Sequence, residues 1–142
     1  MTPEQSKALV LNAYAAFDQG DVNRGRELVA PDVTGCIMGG VQIAGADAFF
    51  EYALSIQAAF PDGYHVFEEV IVEADKVVTR GVFRGTHGGA LMGIAPSGKT
   101  VEFSVIHIDR VQNGKIIEHW GQADVLSLLR QLGAMPAGAG LA

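Results

Sequence analysis

As far as Phe60 the apolar residues recur at intervals of three and four; beyond it they alternate. The first pattern predicts helices. Thr2-Pro3-Glu4-Gln5 opens one, with Thr2 as cap, Pro3 in the first turn and Gln5 closing a capping box. Leu9 or Val10, Ala13, Tyr14 and Phe17 form its apolar stripe, and Gly20 stops it. Asp21 caps a short second helix, Val22 to Val29, which Pro31-Asp32 ends. Val33 to Met38 reads as a strand, Gly39-Gly40 as a turn, and Val41 to Ala44 as an ambiguous short apolar piece. A third helix starts at Gly45, carries Phe49, Phe50, Ala53, Ile56, Gln57 and Phe60, and stops at Pro61-Asp62-Gly63.

Alternation then predicts strands over Tyr64 to Ala74 and Val77 to Thr86, with Asp75-Lys76 as their turn. In that register Phe67, Glu69, Ile71 and Glu73 oppose Arg84, Val82, Arg80 and Val78, a mixed face suited to solvent or a subunit contact. The other face holds Val66, Val70, Val72, Val77, Thr79, Gly81 and Phe83, with Glu68 as its exception. His87 to Gly98 is a glycine-rich connector. No GxxxxGK[ST] pattern here follows a strand and opens a helix, as a phosphate loop requires, so a flap over a cavity mouth fits it better. Thr100 to Asp124 is a second long hairpin with Asn113-Gly114 at its tip, because both residues tolerate positive φ. Val125, Leu128, Leu129 and Leu132 outline a last short helix, closed by Gly133. The expected fold class is α+β, with the helices covering the concave face of a strongly curved antiparallel sheet. Such a packing leaves a cone-shaped apolar cavity, a natural small-molecule site. One domain is expected over residues 1–134, and a flexible tail over 135–142.

Each arm of the second hairpin carries a mid-strand histidine, His107 and His119. A two-residue turn pairs Gln112 with Lys115 and sets His107 opposite Trp120. A three-residue loop ending in a left-handed Gly114 pairs Val111 with Lys115 and sets His107 opposite His119. The second register is preferred, since it groups Val105, His107, Asp109, Ile117, His119 and Gly121 on one face. Two imidazoles in an apolar pocket exchange protons near neutral pH; a core histidine satisfied by a neighbour does not. Asp124, just beyond the second strand, fits either a base at the cavity end or a helix N-cap. Asp109 lies near the hairpin tip and is expected to be wet, while Glu118 and Trp120 point to the opposite face. His87 is placed to swing over a cavity mouth, and His65, next to a turn, is expected to be exposed. Tyr14 and Phe17 fit core packing or pocket lining.

Composition narrows the function. The 142 residues suffice for one domain with a core, and a 49% hydrophobic content excludes a disordered chain. A net charge of -6 with scattered basic residues argues against a nucleic-acid partner. No apolar run approaches the roughly 18 residues of a membrane span, and no basic-then-apolar leader is seen. A cytoplasmic protein without a membrane partner is expected. Cys36 is the single cysteine, so no internal disulfide forms. The histidines lack clustered carboxylates or cysteines at ligand spacing, which argues against a metal. Ser104 and Cys36 lie in no nucleophile motif.

The segments GTHGGALMGIAPSGKT, VEFSVIHIDRVQNGKIIEHW and LLRQLG resemble the SnoaL-like polyketide cyclases, or ester cyclases, of the NTF2-like group. The resemblance is clearest over Gly85 to Pro136. It implies a cone-shaped NTF2-like barrel, a homo-oligomer (dimer or tetramer), and no metal or organic cofactor. It also implies ring closure of a polyketide by intramolecular aldol condensation, with an aspartate as general acid/base and histidines nearby. His107, His119 and His87 match family positions. The family's aspartate lies two residues past the histidine of the EHW piece, where this chain has Gly121; Asp124 matches a further acidic position. The expectation is a cofactor-independent cyclase or isomerase acting on a polyketide-like or other bulky apolar carbonyl substrate. His107, His119 and Asp124 are the catalytic candidates, and Tyr14, Phe17, Phe50, His87, Phe103 and Val105 the substrate-binding ones. The alternative, motivated by Gly121, is a non-catalytic small-molecule-binding or dimerisation domain. An epoxide hydrolase or dehydratase needs an Asp-Arg-Asp arrangement in the pocket, whereas Arg80 and Arg84 are expected to face outward.

Overall fold

In the computed structural model, which describes residues 1–136, helix α1 (Pro3–Gln19) begins at its capping box. The Gln5 backbone N–H donates to Thr2 Oγ1 at 3.1 Å, and Gln5 Oε1 accepts from the Thr2 N–H at 2.8 Å. Leu9, Val10, Ala13 and Tyr14 form the buried stripe. Asp21 caps α2 (Val22–Leu28) by accepting from the Arg24 N–H at 3.0 Å. Strand β1 (Val29–Ile37) starts earlier than expected, takes Val29 from the helix and runs through Pro31. Its register slips between Val29 and Thr34, where a residue without an N–H is tolerated. A 3₁₀ turn (Met38–Gly40) leads to β2 (Val41–Ala44), so the ambiguous apolar piece is a strand. Helix α3 (Ala46–Ala59) follows. The long strands are β3 (Tyr64–Glu73), β4 (Lys76–Thr86), β5 (Thr100–Gln112) and β6 (Lys115–Ala123), with α4 (Val125–Gln131) after them. Of the tail expected over 135–142, residues 137–142 lie outside the described residues.

The strands form one open sheet in the order β2-β1-β6-β5-β4-β3. Neighbours are antiparallel except β1 and β6, which run parallel. The sheet is therefore mixed, not wholly antiparallel as expected. Turn chemistry fixes hairpin neighbours, but nothing local decides which edge the distant β1 joins. It pairs with β6, whose backbone would otherwise present an open edge.

Two bulges decide which side chains face the helices. The β3–β4 turn is Ala74-Asp75, one residue earlier than expected, with Glu73 opposite Lys76. β3 then bulges at Glu68, between Phe67 (opposite Gly81) and Glu69 (opposite Arg80). The extra residue turns Glu68 out to Arg80 at 3.2 Å, and the expected acidic exception on the apolar face disappears. It also brings His65 and Phe67 inward beside Phe83 and sends Val66 to the outer face opposite Val82. In the second hairpin Asn113 (φ 52) and Gly114 (φ 75) make a two-residue turn with Gln112 opposite Lys115. β6 then bulges at Ile117, since Val111 pairs with Ile116 and Arg110 with Glu118. Neither expected register survives along the whole hairpin. Asp109 faces His119, His107 faces Gly121, and fully buried Ile116 takes the inward place expected for Ile117.

Two apolar clusters fill the space between sheet and helices. One holds Val10, Tyr14, Val33, Phe49, Phe50, Val77 and Ile116; the other holds Phe60, Phe83, Leu91, Phe103, Val105 and Leu128. Phe67 touches both, and a cavity is lined from both. The glycine-rich connector packs on the end of α3, where the N–H groups of Gly88 and Gly89 donate to the Ala59 carbonyl. None of its residues lines the cavity, so it is not the flap expected. Among the described residues no helix is long and apolar enough to cross a membrane.

Candidate active site

Strand β5 alternates strictly: Val101, Phe103, Val105, His107, Asp109 and Val111 are buried, and the residues between them are exposed. The pattern of a half-buried strand thus carries an imidazole and a carboxylate into the interior. Asp109 is wholly buried, not wet as expected. A buried carboxylate needs partners, and this one has two. Its Oδ1 lies 2.6 Å from His119 Nδ1, and its Oδ2 accepts from the Tyr14 hydroxyl at 2.7 Å. Because the carboxylate can only accept, His119 Nδ1 carries a proton and Nε2 is the nitrogen left for chemistry. The Tyr14 oxygen is also 3.4 Å from His119 Nδ1. Burial, and then the Asp109 charge, pushes Tyr14 well above the usual tyrosine range and keeps it a neutral donor.

Gly121 opens the approach to this pair. A Cβ there would stand 3.0 Å from His119 Nε2 and 3.2 Å from His107 Cδ2, so both ring edges face the glycine. The two rings lie 5.6 Å apart. His107 Nδ1 is 3.3 Å from the Thr79 hydroxyl. Burial, followed by the neighbouring His119 and His65, holds His107 well below the usual histidine range. The ring is neutral, and in the tautomer whose Nδ1 accepts from Thr79 its Nε2–H is a donor.

A second imidazole–carboxylate pair comes from α1 and β3. His65 Nδ1 is 2.7 Å from Asp18 Oδ1, and the His65 backbone N–H donates to Asp18 Oδ2 at 2.9 Å. Their side chains are each 15% exposed, so His65 lines the cavity and is not the exposed residue expected. Among the described residues, Nε2 of His65, His107 and His119 makes no hydrogen bond, and none of the three is sealed from solvent; the sealed unpaired atoms are His87 Nε2 and Arg130 Nε.

The cavity encloses about 770 Å³ of empty space, open solvent at its mouth included. Its walls are mostly apolar, with Phe17, Phe49, Phe60, Phe83, Phe103 and Val105 around the three imidazoles. No lysine or arginine is among its lining residues. Tyr52, also in the lining, is pushed up to about 12 by burial and is a neutral donor. Among the described residues no group of three or more His, Cys, Asp or Glu side chains is placed to hold a metal ion.

Of the residues singled out from sequence, Tyr14, Phe17, Phe103, Val105, His107 and His119 line this cavity; Asp124, His87 and Phe50 do not. Asp124 caps α4, accepting from the Ser127 N–H at 3.0 Å, because it stands directly before a helix with unpaired N–H groups. His87 is buried in the connector, where its Nδ1 accepts from the Ser97 N–H at 3.2 Å. Phe50 packs beneath Phe17 against Gly25, with the Arg26 guanidinium over its ring. Arg80 and Arg84 face outward as expected, paired with Glu68, Glu69 and Glu102. Sequence reasoning missed the buried state of Asp109 and the whole Asp18–His65 pair. For Asp109 a signal existed, its place on the histidine face of β5; for His65 none did, because the β3 bulge has no local signature.

Comparison with known proteins agrees with this architecture. The family model for SnoaL-like polyketide cyclases matches residues 8–132. The chain is 27% identical over 129 residues to aklanonic acid methyl ester cyclase DauD of Streptomyces sp. (strain C5), covering 88% of this chain and 80% of that one. It is 28% identical over 128 residues to nogalonic acid methyl ester cyclase of Streptomyces nogalater, covering 84% of this chain and 90% of that one. Among solved structures it is similar to IdmH of Streptomyces antibioticus, a candidate polyketide cyclase, with a TM-score of 0.81 and 33% identity over 91% of this chain and 99% of that one. With this fold, and with a match over nearly its whole length, the chain belongs to the SnoaL-like polyketide cyclase family.

Proposed function

We propose that the protein closes a ring in a neutral polyketide methyl ester by intramolecular aldol condensation, with His119 as the general base. The observation that carries this reading is His119 held through Nδ1 by buried Asp109, its Nε2 facing the opening left by Gly121. His119 Nε2 takes a proton from the carbon beside the ester carbonyl. The neutral His107 donates from Nε2 to the enolate oxygen. The enolate carbon then bonds to a ketone carbon of the same molecule, whose oxygen takes up a proton, so the product is an isomer of the substrate. Proton transfer of this kind contributes about 10²–10⁴-fold in rate, and one oriented oxyanion donor about 10²–10³-fold. The base and the donor are both side chains of this chain, so this mechanism calls on no cofactor.

The lining favours an ester over a free acid. It has no lysine or arginine to hold a carboxylate in a fixed ion pair. An ester also acidifies its neighbouring C–H more than a carboxylate does. Two relatives are named for methyl esters, which supports the same class. The cyclase reading is favoured over a non-catalytic binder, since simple binding does not call for a buried carboxylate behind an imidazole. A homo-oligomer fits the outer sheet face, where Tyr64, Ile71, Ile106, Ile108 and Trp120 are exposed.

The test is incubation with aklanonic acid methyl ester and nogalonic acid methyl ester, followed by chromatography and NMR for the cyclised isomer. The wild type converts at least one, and His119→Gln slows conversion by about 10³-fold. If neither ester is cyclised, the reading is wrong.

A further inference from the structure

We infer that Asp18 and His65 form a second proton-transfer pair in the same cavity, with His65 as the general acid that protonates the ketone oxygen as the ring closes. The inference rests on the cyclase reading and adds the step that reading leaves without a donor. An aldol closure moves protons at two different atoms. One leaves the nucleophilic carbon, and another reaches the acceptor oxygen. His119 serves only the first.

His65 is held as His119 is held. Each binds a carboxylate through Nδ1, at 2.7 Å and 2.6 Å, and each keeps Nε2 free. Asp18 accepts from both the ring and the backbone N–H of His65, which fixes the carboxylate against a single residue. The His65 ring lies 5.5 Å from His107, and His107 lies 5.6 Å from His119. The enolate donor is thus the shared neighbour of the other two imidazoles. An aldol transition state has the same order: the acidic carbon, the enolate oxygen beside it, and the ketone oxygen across the forming bond. Groups within hydrogen-bond reach, about 3 Å, of the first and last of these are different groups, each beside the enolate donor, as His119 and His65 are beside His107. A mere anchor between α1 and β3 would not need Nε2 open to the cavity. At 15% exposure against 7% and 0% for the deeper pair, Asp18 and His65 can also exchange protons with water.

The step balances. A carbon–carbon bond forms as the ketone π bond breaks, His119 gains the proton lost by carbon, and protonated His65 gives its Nε2 proton to oxygen. Water restores both imidazoles, and the net change is an isomerisation.

The test compares wild type, His119→Gln, His65→Gln and Asp18→Asn on aklanonic and nogalonic acid methyl esters in D₂O. Deuterium entering the carbon beside the ester is followed together with ring closure, and thermal unfolding checks each fold. His65→Gln should close the ring about 10²-fold more slowly while exchanging deuterium at close to the wild-type rate. Asp18→Asn, which keeps the imidazole, should lower kcat with little change in KM. His119→Gln should lose both exchange and closure. Wild-type closure in a folded His65→Gln overturns the inference, and so does loss of exchange together with closure in that variant. If His65→Gln does not fold, Asp18→Asn decides on the same criteria. A wild type that neither exchanges nor closes either ester overturns the cyclase reading itself, and the inference with it.

Discussion

Asp109–His119 and Asp18–His65 are the same chemical pair at two depths. Their contacts are nearly equal, 2.6 Å and 2.7 Å, but the deeper side chains are 0% and 7% exposed and the shallower ones 15% each. Distance therefore says little about what either pair does for the fold. Asp109 has no water to fall back on and depends on His119 and Tyr14 together. Asp18 has a backbone donor and a share of solvent, so losing one partner leaves it satisfied. The deep pair holds its geometry at a cost in desolvation. The shallow pair costs little and exchanges protons with water. Orientation of a base and turnover of protons are thus served by different environments of one motif.

Stability measurements should separate the two most strongly. His119→Ala leaves the Asp109 charge buried with Tyr14 alone, and urea unfolding should show a loss of about 3–5 kcal/mol. His65→Ala should cost about 1 kcal/mol, because water reaches what it leaves behind. Equal losses would break the distinction of depth. Gly121→Ala comes next. Its Cβ would press on His119 Nε2 at 3.0 Å and His107 Cδ2 at 3.2 Å, with an overpacking cost of about 1–3 kcal/mol. It should also slow ring closure by covering the base. An unchanged rate would mean that the substrate does not approach through that opening.

A smaller effect is expected from pH. His107 is held below the ordinary histidine value of 6.5, so between its folded value and 6.5 the unfolded chain binds a proton that the folded chain refuses. Its share of stability is complete above about pH 6.5 and declines as pH falls. The urea midpoint of the wild type should therefore drop between pH 7.5 and 5.5 by more than that of His107→Gln. Parallel declines would assign the acid sensitivity elsewhere. The smallest effect on chemistry belongs to the outer face. Trp120→Lys should lower the sedimenting mass and leave ring closure unchanged; an unaltered mass removes that face as the subunit contact.

Much of this molecule was legible in local pattern. The capping box at Thr2 and Gln5, the period of α3 and the strict alternation of β5 all mark elements that the structure contains. Asp109 was even placed on the histidine face. It is buried and not wet because its cover comes from Tyr14, 95 positions earlier in the chain. His65 turns inward only because β3 bulges at Glu68, and its partner Asp18 lies 47 positions away. Asp124 carried two readings, and the three-residue spacing to the Ser127 N–H settles it as a cap. Period and capping depend on near neighbours and can be read from sequence. Bulges and pairings between distant segments are decided by tertiary packing, and here they place most of the polar groups in the cavity.

The central claim is that His119, backed by Asp109, removes the proton. Its most direct test is a crystal structure of the wild type bound to the cyclised ester. The account predicts the carbon that formed the new bond about 3–3.5 Å from His119 Nε2, with the new hydroxyl on the His65 side of His107. A product whose reacting carbon lies beyond reach of His119 Nε2 would contradict it.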